Sequence, residues 1–220
     1  MKKLYIVSIG PGDPELLTLK AYKTIQKSDA VCIPTKSENS FDKSRTYEII
    51  KEATNHAQRL IPIYTPMKLR DEDWLLQIEA ILGAFEESNT VSYVTLGDAG
   101  VYSTAYYLLE RIKETAPKIY ENIEVIPGVT SFSLASAKAK IPLCLGDETL
   151  SIRPFADNEQ RPATTVYMRP EKKNRNSPDI NGNALLFQKL SMEGETISPY
   201  SDATSVDEYM SLLIDFAPRL

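Results

Sequence analysis

The sequence predicts a two-domain α/β protein, with a mostly parallel sheet in the first domain and a mixed sheet in the second. Three observations carry that expectation. Short apolar β-type runs alternate with helix-patterned segments as far as residue 140. Strand-like stretches dominate afterwards. Three strand ends break abruptly into glycine or glycine–proline turns that lead into helix starts, the geometry that exposes backbone at the carboxyl edge of a sheet. The expected domains are 1–117 and 118–220, meeting between residues 115 and 123.

The elements follow in order. Leu4 to Ile9 reads as a buried strand ending in Gly10-Pro11-Gly12-Asp13-Pro14, with a helix from Glu15 to Ala21. Asp13 suits the N-cap of that helix and Pro14 its first turn. Ala30 to Pro34 is a second strand, Thr35 to Asp42 a polar loop, and Lys43 to Ala53 a helix. Arg59 to Ile63 is extended. Glu72 to Glu87 is an amphipathic helix whose stripe is Leu75, Ile78, Ile81, Leu82 and Phe85, with Trp74 beside it in the core. Val91 to Leu96 is a strand, followed by Gly97-Asp98-Ala99-Gly100 and a helix from Val101 to Ile112. Ile123 to Ile126 is a strand, Pro127-Gly128-Val129-Thr130-Ser131-Phe132 a turn, and Ser133 to Lys140 a helix of small residues suited to close packing. Leu143 to Gly146 reads as a linker and Glu148 to Ile152 as a strand. Ala163 to Met168, Ala184 to Phe187 and Glu208 to Ile214 are the remaining strands, with a polar stretch from Arg169 to Gly182.

Composition narrows the function. At 220 residues, 42% hydrophobic and 25% charged, the chain has the profile of a soluble globular protein. A formal charge of −5 argues against general nucleic-acid binding, which draws on clustered Lys and Arg. No apolar run reaches the length of a bilayer, and the amino-terminal residues read as a first strand, so a cytoplasmic protein without a membrane partner is expected. Cys32 and Cys144 lack metal-ligand spacing and His56 is the only histidine, so no metal site is expected.

The first turn is neither a dinucleotide fingerprint, since Glu15 stands where a third glycine is needed, nor a phosphate-binding Walker loop. Taken together, the three turns resemble those of the tetrapyrrole methylases, the S-adenosylmethionine-dependent enzymes of sirohaem and cobalamin synthesis. Gly10-Pro11-Gly12-Asp13-Pro14-Glu15-Leu16-Leu17-Thr18 matches that family's first motif. Leu96-Gly97-Asp98 matches its glycine–aspartate–proline motif, with Ala99 in place of the usual proline, and Pro127 to Phe132 matches its third. Val101-Tyr102-Ser103-Thr104, Gly146 to Leu150 and Tyr209 to Ile214 are similar to the precorrin-2 C20-methyltransferase branch. Residues 169–200 match poorly and look shortened.

The resemblance implies two α/β domains with a trough between them, a homodimer, and S-adenosylmethionine as cofactor. By motif match it implies cofactor contacts from Pro11, Leu96, Gly97, Asp98 and Val101, with Ser103 and Thr104 beside them, and from Ser131, Phe132, Met168 and Ser211. Read as residues, Asp98 suits either a hydrogen bond to the cofactor or a helix cap. Phe132 and Met168 suit either an adenine wall or core filling. The implied reaction is methyl transfer to C20 of precorrin-2 or its cobalt form, in which orientation matters more than a protein nucleophile. Asp98, Tyr102 and Glu148 are candidate bases for the departing proton, and Lys43, Arg45 and Arg153 candidates for the substrate carboxylates. The alternatives are another ring-carbon methylase, such as a uroporphyrinogen III methyltransferase, a methylase acting on protein or RNA, and a non-catalytic tetrapyrrole-binding protein.

Overall fold

The structure is a computed structural model that describes residues 2–42, 44–54, 58–66, 70–146, 148–152, 164–168, 184–189, 193–201, 206 and 211–216. It divides into two compact units, Met1–Leu150 and Ser151–Leu220.

The first unit is built on five parallel strands: β1 (Lys3–Ser8), β2 (Ala30–Thr35), β3 (Arg59–Tyr64), β4 (Thr90–Thr95) and β5 (Ile123–Ile126), in the spatial order β3-β2-β4-β1-β5. The inner strands read as nearly continuous apolar runs because both of their faces are covered. On one face, Leu4, Ile6, Cys32, Val91 and Tyr93 pack against α3 (Asp71–Gly83) and α4 (Ala105–Thr115) through Trp74, Ile78, Ile81, Leu108 and Ile112. On the other, Tyr5, Val7, Val31, Ile33 and Val94 pack against α1 (Leu19–Lys27) and α2 (Arg45–Ala53) through Ala21, Ile25, Ile49 and Ile50. The chain leaving β1 therefore turns to one face and the chain leaving neighbouring β4 turns to the other. This divergence is the topological switch point at which open α/β sheets bind ligands.

Local chemistry sets several boundaries. Asp13 accepts from the Glu15 amide and caps only a single 3-10 turn, Pro14–Leu16. Thr18 caps α1 through the Ala21 amide, so the helix expected from Glu15 begins at Leu19. Ser44 caps α2 through the Tyr47 amide. α4 starts at Ala105 rather than Val101 because Tyr102 takes a left-handed conformation, φ 49°, that interrupts helix. The buried face of α3 is Trp74, Gln77, Ile78 and Ile81; Leu75, expected in the stripe, is 50% exposed.

The expected boundary at 117/118 falls inside the first unit. A short helix, α5 (Pro117–Tyr120), leads into β5, and β5 hydrogen-bonds to β1 from Leu4 opposite Ile123, which makes it an edge of the first sheet. α6 (Ser131–Ala139) follows, capped by Thr130, and among its described residues none is buried, in contrast to the close packing its small residues suggest. Residues 148–152 form no strand, contrary to expectation.

The second unit holds four strands: β6 (Thr165–Met168), β7 (Ala184–Gln188), β8 (Thr196–Pro199) and β9 (Ser211–Asp215), in the order β6-β9-β7-β8. Every described pairing is antiparallel, where a mixed sheet was expected. Ala184, Leu186, Val206 and Leu213 form its core. β8 carries no sequence signal beyond Thr-Ile-Ser-Pro and was not anticipated.

Candidate functional site

Three loops emerge side by side at the carboxyl edge of the parallel sheet: residues 9–18 after β1, 96–104 after β4 and 127–130 after β5. They are joined chiefly through backbone. Gly10 donates to the Gly97 carbonyl at 3.2 Å and Gly97 to the Gly10 carbonyl at 2.7 Å, an isolated antiparallel bridge. Both glycines are left-handed, at φ 75° and 74°, a conformation that disfavours side chains.

Asp98 links the second loop to the third. One carboxylate oxygen accepts from the Gly100 amide at 2.7 Å and the other from the Gly128 amide at 2.6 Å. Behind it, the Oγ of buried Ser8, at the end of β1, accepts from the Ala99 amide at 2.9 Å. Gly128 is held so closely that a Cβ there would lie 2.6 Å from Ser8 Cβ and 2.7 Å from the Gly97 carbonyl oxygen. Around Gly97 the reverse holds: a Cβ would meet nothing within 4 Å. The joined loops thus have a packed underside and, at Gly97, an open face bare of side chain.

Pro11, Leu96, Gly97, Asp98, Val101, Ser103, Thr104, Ser131 and Phe132 lie in these loops or in the first turn of α6. Ser103 Oγ lies 3.0 Å from Thr95 Oγ1 and accepts from the Ala105 amide at 3.2 Å, so it ties the second loop to β4 and α4. Thr104 hydrogen-bonds the phenol of Tyr93, whose burial pushes its pKa up. Tyr102 is 71% exposed. Arg45 reaches from α2 to donate to the Gly12 carbonyl at 2.7 Å, beside the first loop.

The Glu148 carboxylate accepts from the Leu145 amide at 2.9 Å and closes a local turn. Met168 ends β6 and Ser211 opens β9, both in the second unit. Lys43, Arg153 and His56 lie outside the described residues. Sequence reading missed Ser8 and the amides of Ala99, Gly100 and Gly128. The signal available was a lone hydroxyl at the end of an apolar strand, opposite a small residue in a motif that ordinarily carries proline.

This edge is lined by main chain and hydroxyls, and its best-placed carboxylate is engaged by two amides. Such a surface suits the gripping and orienting of a polar ligand. Among the described residues there is no group of three or more His, Cys, Asp or Glu able to hold a metal ion.

The model of the Tetrapyrrole (Corrin/Porphyrin) Methylases matches residues 3–209. The chain belongs to the tetrapyrrole methylase family. Among the methylases it resembles are a cobalt-precorrin-2 C(20)-methyltransferase of Salmonella typhimurium, 32% identical over 68% of this chain and 62% of that protein, and a precorrin-2 C(20)-methyltransferase of Sinorhizobium sp, 31% identical over 81% and 76%. The chain spans less than two thirds of the Salmonella relative and of one from Methanocaldococcus jannaschii, of which it covers 64%. The tetrapyrrole methylase fold is confirmed by a uroporphyrin-III-C-methyltransferase structure from Thermus thermophilus, with a TM-score of 0.51, 20% identity, and 97% and 91% of the two chains covered. No helix among the described residues of this chain is long and apolar enough to cross a membrane.

Proposed function

We propose that this chain transfers a methyl group from S-adenosylmethionine to C20 of precorrin-2 or cobalt-precorrin-2, in construction of the corrin ring. The observation that carries the proposal is the coincidence of the family's three motifs with one backbone-lined edge at the switch point of the sheet. The choice of C20 rests on the names of the Salmonella and Sinorhizobium relatives.

The residues present fit the cofactor. The open face at Gly97 lets a ligand approach the main chain without meeting a Cβ, and the bridge to Gly10 fixes that backbone in advance. Leu96, 45% exposed, and Phe132 offer apolar surface for a heterocycle, with Pro11, Val101 and Ser131 beside them. The cofactor supplies an electrophilic methyl on a positively charged sulfur. The loops hold both reactants in line and keep water from between them, an orientation effect worth several kcal/mol, ~7 or more where geometry is tight. Arg45, beside the first loop, is the proposed contact for a substrate carboxylate. A cytoplasmic homodimer completes the proposal, its assembly to be read by sedimentation equilibrium.

The test is incubation with methyl-labelled S-adenosylmethionine and either precorrin-2 or cobalt-precorrin-2, with the labelled carbon located by NMR. Label at C20 is expected. Label at another ring carbon would move the protein to a different step, and no label with either substrate would remove the enzyme reading.

A further inference from the structure

We infer that Asp98 is a positioning residue: its carboxylate clasps the second and third loops together and is not the base that removes a proton from the substrate. This rests on the methyl-transfer reading above and assigns one residue within it. The two carboxylate oxygens are engaged on opposite sides, by Gly100 within its own loop at 2.7 Å and by Gly128 across to the next at 2.6 Å. Hydrogen bonds from amide N–H to an ionised carboxylate are among the stronger ones in proteins. Accepting a proton would weaken one of them just when the loops must hold the reactants in place.

The surroundings are built for the clasp. Gly128 fits only because it lacks a Cβ, wedged against Ser8 and the Gly97 carbonyl. The Ala99 amide, next in sequence to Asp98, is fixed to Ser8 Oγ. Gly97, on the other side of Asp98, is fixed to Gly10. Asp98 thus lies between two anchored neighbours and reaches the third loop from the only one of the three residues with a charged side chain. Shape of the cofactor edge, rather than proton transfer, depends on it.

The inference predicts that the clasp can be broken from either side with the same result. Asp98→Asn turns one acceptor into a donor facing an amide. Gly128→Ala forces the third loop away without touching the carboxylate. Gly100→Ala, exposed and not left-handed, brings a Cβ to 3.0 Å from Asp98 Oδ1. S-adenosylhomocysteine affinity, read by calorimetry, is expected to fall roughly tenfold or more in Asp98→Asn and Gly128→Ala, and measurably in Gly100→Ala. The Asp98→Asn/Gly128→Ala double variant is expected to be no weaker than the weaker single, because both remove one interaction. The pH profile of kcat in Asp98→Asn is expected to keep its shape.

Wild-type affinity in Asp98→Asn with loss of kcat and of the acid limb of the profile would overturn the inference, as would wild-type affinity in Gly128→Ala. Should either of those variants fail to fold, Gly100→Ala decides alone: unchanged affinity there overturns it. A wild-type protein that neither binds S-adenosylhomocysteine nor methylates would instead sink the parent reading, so the two failures are distinguishable.

Discussion

Gly10 and Gly97 exchange both of their backbone hydrogen bonds, each glycine in a left-handed conformation, and so join the chains leaving β1 and β4. The two differ in what surrounds them. A Cβ on Gly10 would meet the Leu16 carbonyl oxygen at 3.0 Å, whereas one on Gly97 would meet nothing within 4 Å. Gly97→Ala should therefore cost only the backbone penalty, about 1 kcal/mol, and Gly10→Ala distinctly more. Urea denaturation of the two variants checks the order, and equal costs would contradict it.

Ala99 supplies an amide that proline cannot. In Ala99→Pro the bond to Ser8 is lost and a buried hydroxyl is left without that donor, a cost of about 1–3 kcal/mol. The same substitution in a Ser8→Ala background should cost less, since no hydroxyl remains to orphan. A thermal-melting double-mutant cycle reads the coupling.

Tyr102 combines a left-handed backbone, φ 49°, with a ring that is 71% exposed. Asparagine tolerates that conformation better and forfeits little buried surface. Tyr102→Asn should raise stability by about 0.5–1 kcal/mol, visible as a higher melting temperature. A lower one would show that contacts of the ring outweigh the strain.

Glu124 is held between Lys20 and Lys3, each at 2.8 Å, and the lysines bring its carboxyl down to about 2. A carboxylate depressed on folding stabilises the protein above its unfolded pKa, and that contribution fades as pH falls from about 4.5 towards 2. With a third of the side chain exposed, solvent screening leaves on the order of 1 kcal/mol. Glu124→Gln should be less stable than wild type at pH 7, with the gap closing in acid. Equilibrium unfolding at pH 7, 4 and 3 tests it.

Cys32 and Cys144 should differ in reactivity. Burial pushes the Cys32 thiol up to about 12, while Cys144 is exposed. Iodoacetamide at pH 8 should label Cys144 in the native protein and Cys32 only after unfolding, as read by peptide mass.

What the sequence disclosed, and what it withheld, follows physical lines. The three loops were legible because apolar strands, glycines and prolines act locally and leave local marks. The start of α4 was not, because the apolar spacing from Val101 is helical and nothing in it announces a left-handed Tyr102. Leu75 looked like core because helical spacing identifies a stripe without fixing which edge of it meets the sheet. The placement of β5 beside β1 is a tertiary pairing with no trace in either segment. The double use of Asp98 was half visible: its type suggested a cap, but its partner Gly128 lies thirty positions on. Ser8 left only a faint mark, a lone hydroxyl at the end of an apolar strand, because its partner, the Ala99 amide, lies far along the chain.

The strand order also governs how the chain is made. β1 is synthesised first, yet its neighbours are β4, from Lys3 opposite Thr90, and β5, from Leu4 opposite Ile123. β2 and β3 adjoin each other and can pair early. At about 5–20 residues per second, β1 waits roughly 5–20 seconds on the ribosome before its first partner exists. Throughout that interval Leu4, Ile6 and Val7, fully buried in the finished protein, have no sheet to enter. Slow codons between β1 and β4 would prolong this exposure and raise the burden on chaperones, while the same delay placed after β5 would fall on a sheet already closed.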